Sequence, residues 1–152
     1  MDGSLTKFAG LEAEFQNTLS SDSGEARESV SDKVLLERIP ELLSIAEVSP
    51  KAAIPHAWAQ VEYSLIRTLS KLQGFVDKTM GYNISKQIEI LHENGYLSKV
   101  DTQLLHELRG LRNKVSHHPE DTNSITFATA KDYSEKCAYF IGVFDDLLKK
   151  NG

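Results

Sequence analysis

The sequence has a single cysteine and no long apolar run. Cys137 has no second cysteine with which to form an intrachain disulfide, and its position in an apolar-periodic stretch predicts a buried free thiol. No apolar run approaches the roughly 20 residues that a membrane-spanning helix needs, and the first residues lack the charged and apolar regions of a signal peptide. These features predict a water-soluble, cytoplasmic domain that makes no membrane contact of its own.

Clustered positive charge is also scarce. The 152 residues carry 17 Lys and Arg against 22 Asp and Glu, a formal net charge of −5, whereas binding to nucleic acid by bulk attraction needs grouped Lys and Arg. One exception is residues 108–119, a stretch without acidic side chains. Its basic residues are Arg109, Arg112, Lys114, His117 and His118. Any contact with RNA is therefore expected at this patch.

Composition divides the chain into two parts. Residues 17–31, NTLSSDSGEARESVS, are rich in Ser, Asp, Glu and Gly and have little to bury, which predicts a flexible linker. Before it, residues 5–15 alternate partly between apolar and polar side chains, as a short strand or an ordered arm would. We therefore expect residues 1–31 to form an N-terminal arm and flexible linker, and residues 32–152 to form one helical domain.

From residue 32 onward, apolar residues recur at helical spacing. Pro40 is expected to kink or divide the first element. Ser49 and Pro50 suit an N-cap and a first helical position, so a long helix is predicted from Pro50 to about Gln73, with Pro55 in its early turns. The positions expected on its buried stripe are Ile54, Trp58, Val61, Leu65, Ile66, Leu69 and Leu72.

Capping residues mark the next two helices. Asn83 suits the N-cap of a shorter helix, which Asn94 and Gly95 would end as a left-handed C-cap. Ser98, followed three residues later by Asp101, resembles a capping box that opens another helix.

The end of that helix and the start of the last one are also marked. Because Pro119 disfavours helical geometry in the residue before it, the helix should end near His118. A polar loop, residues 120–124, is expected to precede a last helix that begins at Thr126 or Thr129. Four or five amphipathic helices joined by short loops favour an all-α, up-and-down helical bundle behind the N-terminal arm.

Three segments occur in a characteristic order within this bundle. They are the Ser-Pro-led helix with Trp58 and Glu62, the segment Asn94-Gly95-Tyr96-Leu97, and the segment Leu108-Arg109-Gly110-Leu111-Arg112-Asn113-Lys114-Val115-Ser116-His117. In order and spacing they resemble the HEPN superfamily, and more narrowly its DUF4145-type branch. The resemblance covers residues 49–150, about two thirds of the chain. The motif itself is Arg, a polar residue, three residues of any kind and His, placed near the end of the penultimate helix.

The resemblance implies an all-α bundle that pairs as a homodimer, with the Arg and the His of both chains in a cleft at the dimer interface. Many members of the superfamily cleave RNA without a metal, as toxins, defence effectors or RNA-processing enzymes, and others act as non-catalytic binding or regulatory modules. Residues 7–15 also resemble the segment that precedes this domain in membrane-associated relatives with transmembrane helices further upstream. Under that alternative the chain is the cytosolic part of a larger protein.

Carried to this sequence, the resemblance makes Arg112 and His117 the catalytic candidates. The supporting or substrate-binding candidates are Asn113, Arg109, Lys114, Ser116 and His118. No metal and no other cofactor is expected. The expected partners are a second copy of the chain, RNA, and an antitoxin or regulatory protein.

The chemistry of the two catalytic candidates fits RNA cleavage. His117 can act as base or acid because imidazole titrates near neutrality, and Arg112 offers a planar fork of donors matched to phosphate oxygens. However, a spacing of five separates two side chains by about 140° around a regular helix. The two groups would meet only if the helix unwinds near Ser116 or if the long Arg112 side chain reaches around it.

A simpler interpretation stays open. Arg and His side chains near a helix C-terminus commonly satisfy the last carbonyl groups and interact with the helix dipole. In that case the chain would be a non-catalytic interaction or regulatory module, and its motif would only stabilise the dimer.

Overall fold

A computed structural model of the chain describes residues 38–72 and 83–151. Within these ranges it contains five α-helices, one 3-10 turn and no strand. The helices are α1 (residues 38–48), α2 (Pro50–Lys71), α3 (Ile84–Glu93), α4 (Lys99–His117) and α5 (Phe127–Asn151). The predicted all-α helical bundle is confirmed. The predicted arm and linker, residues 1–31, lie outside the described residues.

The boundary between α1 and α2 lies at Ser49. The Ser49 hydroxyl accepts a hydrogen bond from the backbone N–H of Ala52 at 3.3 Å, and Pro50 occupies the first turn of α2. Of the kink or division expected at Pro40, a division does not occur within the described residues, because the helical run of α1 continues through Pro40 from residue 38 to 48. Pro55 lies inside α2 without ending it. The serine cap, rather than a proline, therefore separates the first two described helices.

The turn after α3 has the left-handed geometry that the sequence predicts. Gly95 has a φ of 80°, a conformation that glycine adopts without a Cβ clash. Its N–H donates to the carbonyl of His92 at 3.0 Å, and the N–H of Tyr96 donates to the carbonyl of Leu91 at 2.9 Å. This pair of bonds is the Schellman motif. At the other end of α3, the Asn83 side chain caps the helix as predicted.

Both ends of α4 also lie where the sequence predicts them. The Ser98 hydroxyl accepts from the N–H of Asp101 at 3.1 Å, and α4 ends at His117, just before Pro119. The expected polar loop that follows is partly a 3-10 turn, Pro119–Thr122, in which Thr122 is buried and donates its hydroxyl to the Pro119 carbonyl. Thr126 then caps α5, since its hydroxyl accepts from the N–H of Thr129 at 3.2 Å.

Long-range hydrogen bonds give the helix directions. Tyr133 and Tyr139 on α5 donate their hydroxyl groups to the carbonyl of Leu108 and to the carboxylate of Asp101 on α4, so α4 and α5 run antiparallel. Helix α2 lies along α5 and shares the core with α4 and α5. The largest fully buried apolar side chains include Trp58, Tyr133, Phe140, Phe144, Ile54 and Leu65.

The prediction that Ile66 belongs to the buried stripe of α2 is wrong. Ile66 is 47% exposed, whereas its neighbour Leu65 is fully buried. Consecutive residues are about 100° apart around a helix, and the contacts with α4 and α5 cover a stripe too narrow to include both. Tyr63, three residues before Ile66, is 67% exposed and lies on the same uncovered side. Within the described ranges, every helix is too short or too polar to cross a membrane.

Candidate functional site

The last three turns of α4 and the residue after them contain every site residue that the sequence predicts. The structure places four of these side chains at partial exposure, namely Arg109, Arg112, Asn113 and Lys114. The other three, Ser116, His117 and His118, are exposed. We call these seven residues the α4 basic end.

Arg112 lies on the side of α4 that faces the bundle. One of its terminal nitrogens, Nη1, donates a hydrogen bond to Oδ1 of Asn113 at 3.1 Å. Its charge also acts on the buried hydroxyl of Tyr133. Burial raises the pKa of Tyr133 well above its usual range, the thiol of Cys137 and the carboxylate of Glu62 raise it further, and Arg112 opposes the rise. The guanidinium of Arg112 therefore sits near Tyr133, at the edge of the core.

Glu62 is itself positioned by α2. Its Oε1 accepts a hydrogen bond of 2.7 Å from the indole nitrogen of Trp58, one turn earlier. Because Trp58 is fully buried, its ring fixes where the carboxylate lies. The two α2 residues that the family resemblance singled out thus place a carboxylate that acts on the same Tyr133 hydroxyl as Arg112 does. The sequence alone did not predict this role for Glu62.

His117 lies in the last turn of α4 and is exposed. Helix α4 stays regular through His117, and the N–H of His118 still donates to the carbonyl of Lys114 at 2.8 Å. The unwinding near Ser116 that would bring the two catalytic candidates together is therefore not observed. In a regular helix, five residues separate them by about 140° around the axis and about 7.5 Å along it. One chain presents Arg112 near the core edge and His117 in solvent.

Arg109 contributes an unusual donor to the α4 basic end. Its Nε is buried and meets no hydrogen-bond acceptor among the residues that the structure describes. Buried donors of this kind are rare, because losing water without gaining a partner costs about 1 to 3 kcal/mol. An acceptor brought by another molecule would remove that cost.

The 3-10 turn after α4 is tied to α2. Lys51 donates from its ammonium group to the carbonyl of Pro119 and, at 2.9 Å, to Oδ1 of Asn123. These two bonds hold the chain that leaves the α4 basic end against the first turn of α2.

A small group of possible metal ligands lies next to the predicted site. The imidazole of His118 and the carboxylates of Glu120 and Asp121 have ligand atoms within 4.8 Å of one another, and all three residues are exposed. The sequence signal was the run His-Pro-Glu-Asp directly after the motif, which we did not interpret as a metal site. Exposed groups like these occur commonly without an ion. The two carboxylates also place negative charge beside the basic patch.

The single cysteine is buried, as the sequence predicts. Burial raises the pKa of the Cys137 thiol well above its usual value, and the nearby charge of Lys136 lowers it by a smaller amount. The thiolate, which is the nucleophilic form, is therefore disfavoured. Cys137 is a core residue and has no place in the candidate site.

Comparison of the chain with protein-family models, with curated proteins and with solved structures finds no match. The resemblance to the HEPN superfamily thus rests on the residues and the helix order described above.

Proposed function

We propose that this chain is an HEPN-like homodimeric domain of the cytoplasm that acts on RNA, as a metal-independent endoribonuclease or as an RNA-binding module. The cleft would be built from Arg112, Asn113 and His117 of both chains. The observation that carries the proposal is the α4 basic end, where an acid-free cationic segment is partly or fully exposed at the end of one rigid helix.

A second copy of the chain would bring together the two catalytic candidates that α4 holds apart. The positions of Arg112 and His117 on one regular helix are about 140° apart, so a single chain would bring both to one phosphate only if the Arg112 side chain reached around α4. In a two-fold dimer the same patch of both subunits meets across the axis. His117 of the partner subunit could then face Arg112 of the first.

The proposed reaction needs only these side chains. One His117 takes the proton of a ribose 2′-hydroxyl, and the oxygen attacks the adjacent phosphorus. Arg112 stabilises the charge on the non-bridging oxygens. The second His117 of the dimer gives a proton to the departing 5′-oxygen. The products are a 2′,3′-cyclic phosphate and a free 5′-hydroxyl, and no metal takes part in any of these steps.

A non-catalytic interaction module is the second candidate, and specific observations favour it. Arg112 already donates to Asn113 within its own chain, and Glu120 and Asp121 place negative charge beside His118. The net charge of −5 also disfavours bulk attraction to RNA. Under this alternative the motif only stabilises the dimer, the chain binds a regulatory protein or an antitoxin, and it could be the cytosolic part of a larger membrane-associated protein.

An RNA cleavage assay in EDTA separates the two candidates. Wild-type protein, Arg112→Ala and His117→Ala are incubated with labelled single-stranded RNA, and the fragment ends are analysed for a cyclic phosphate. We expect cleavage by the wild type and loss of cleavage in both variants. Lys131→Ala is the matched control, because Lys131 is an exposed cation on α5 outside the basic end.

The outcomes assign the function. Wild-type protein that does not cleave but binds RNA, with binding weakened by Arg112→Ala, leaves the RNA-binding module. Protein that neither cleaves nor binds leaves the interaction module, and cleavage that survives both variants rules out the proposed catalytic pair. Mass measurement in solution tests the cleft independently, since a strict monomer is incompatible with a site shared between two chains.

A further inference from the structure

A cavity lies between α1, α2 and α5, away from the α4 basic end. It has a volume of about 200 Å³ and is lined by Arg38, Tyr63, Ser64, Arg67, Ile141 and Asp145, among others. Tyr63 and Arg67 are one turn apart on α2, as are Ile141 and Asp145 on α5, so each helix presents one face to the cavity. The proposed function makes no use of this cavity.

The cavity carries charges of both signs that do not neutralise each other. Among the described residues, no ion pair or hydrogen bond engages the side chains of Arg67 or Asp145. Within residues 38–72 and 83–151, Arg38 pairs only with Glu41, at 3.9 Å, and 48% of the Arg38 side chain is exposed. Exposed pairs of this kind contribute little. Two guanidinium groups and one carboxylate thus remain available to a ligand.

This combination discriminates between ligand classes. A phosphate or another multiply charged anion would be repelled by Asp145, and a simple cation would be repelled by the two arginines. A zwitterion suits both, since its carboxylate can accept from Arg38 and Arg67 while its ammonium group donates to Asp145. The complementary charges are therefore those of a free amino acid.

Size and the remaining lining narrow the ligand further. The volume is somewhat larger than the roughly 150 Å³ of a cavity that holds one benzene ring, and smaller than the roughly 300 Å³ at which drug-sized sites begin. Ile141 and the ring of Tyr63 supply apolar surface, and Tyr63 is 67% exposed. We propose that this cavity binds a free α-amino acid with an apolar or aromatic side chain.

The proposal is tested on the complete chain by isothermal titration calorimetry. The probes are L-phenylalanine, phenethylamine, which lacks the carboxylate, and 3-phenylpropionate, which lacks the ammonium group. We expect L-phenylalanine to bind, and each analogue to bind at least about tenfold more weakly, because each loses a charge-assisted contact. Equal affinity for 3-phenylpropionate would make this a plain anion site and overturn the proposal.

Matched variants locate the binding. Asp145→Asn and Arg67→Gln should each weaken binding of L-phenylalanine at least about tenfold. Asp146→Asn is the control, because Asp146 is the next residue but pairs with Lys150 at 3.1 Å outside the cavity. Absence of L-phenylalanine binding up to about 10 mM, or equal affinity of the three variants, would also overturn the proposal. Since no RNA is present, these results are independent of the proposed nuclease function.

Discussion

The two ends of α4 use polar residues in opposite ways. At its first turn, Asp101 is only 2% exposed and accepts hydrogen bonds from the hydroxyl of Tyr139 at 3.2 and 3.3 Å. At its last turn, Ser116 and His117 are exposed. The first end is built into the core by α5, while the last end is left to solvent or to another molecule.

The difference follows from the helix dipole and from where α5 lies. An acid near a helix N-terminus is stabilised by the positive end of the dipole, so Asp101 can be buried at lower cost once Tyr139 covers it. The cationic residues at the other end are equally well placed for the negative end of the dipole. However, no hydrogen bond from another helix among the described residues holds His117. Favourable electrostatics alone therefore does not identify a site, and exposure separates the two ends.

The sharpest test of this comparison is the effect on RNA cleavage. His117→Ala should lower the cleavage rate by about 10² to 10⁴, the range that positioned acid and base groups contribute. The free energy of unfolding should change by no more than about 0.5 kcal/mol, as for other exposed residues. Cleavage kinetics and urea denaturation on the same preparation measure both. A large loss of stability with intact cleavage would show that His117 is structural.

Substitutions at the first turn of α4 should lower stability and leave RNA cleavage nearly unchanged. Asp101→Asn keeps the shape but weakens the hydrogen bonds to Tyr139, and we expect a stability loss of about 1 to 3 kcal/mol with little effect on cleavage per folded molecule. Tyr139→Phe is the matched partner variant. A double-mutant cycle in urea should give a coupling energy of at least about 0.5 kcal/mol. Additive effects would mean that the two residues stabilise the fold separately.

Alkaline pH tests the packing of α5 against the middle of α4, between the two ends. Burial raises the pKa values of both Tyr133 and Cys137, so the unfolded chain deprotonates at lower pH than the folded one. The contribution of these two groups to the free energy of unfolding should be fully present below their pKa values in the unfolded chain. It should be lost as the pH rises from those values toward the raised pKa values of the folded chain. We expect a lower urea midpoint at about pH 10.5 than at about pH 8.

Single variants show which of the two groups causes the loss of stability at alkaline pH. Cys137→Ala and Tyr133→Phe should each reduce the pH dependence. Tyr133→Phe should also cost about 1 kcal/mol at about pH 8, because its hydroxyl donates to the carbonyl of Leu108 at 2.8 Å. A pH dependence that both variants leave unchanged would show that other groups control the alkaline transition.

Local signals made most of the fold predictable from the sequence. The caps at Ser49, Asn83 and Ser98, the turn at Gly95 and the end of α4 before Pro119 all depend on residues close together in the chain. Each of these features has a mechanism that acts over a few residues.

What the sequence did not predict depends on contacts between helices. The exposure of Ile66 reflects how narrow a stripe of α2 the neighbouring helices cover. The position of Glu62 near Tyr133 requires the packing of α2 against α5. Likewise, the motif makes Arg112 and His117 candidates, but the regular course of α4 to its end is known only from the structure. Periodicity gives a face of a helix, and only packing decides what covers that face.

Two serines provide the smallest test of the comparison, because one lies at each end of α4. The Ser98 hydroxyl accepts from the N–H of Asp101 at 3.1 Å, whereas Ser116 is exposed in the last turn. Ser98→Ala should therefore lower the free energy of unfolding by about 1 kcal/mol, as for other lost N-caps. Ser116→Ala should change it by less than about 0.5 kcal/mol and, because Ser116 is a candidate for binding substrate, should weaken RNA binding instead. If urea denaturation gives equal losses for the two variants, the last turn is as firmly built into the bundle as the first, and the open character of the α4 basic end would have to be abandoned.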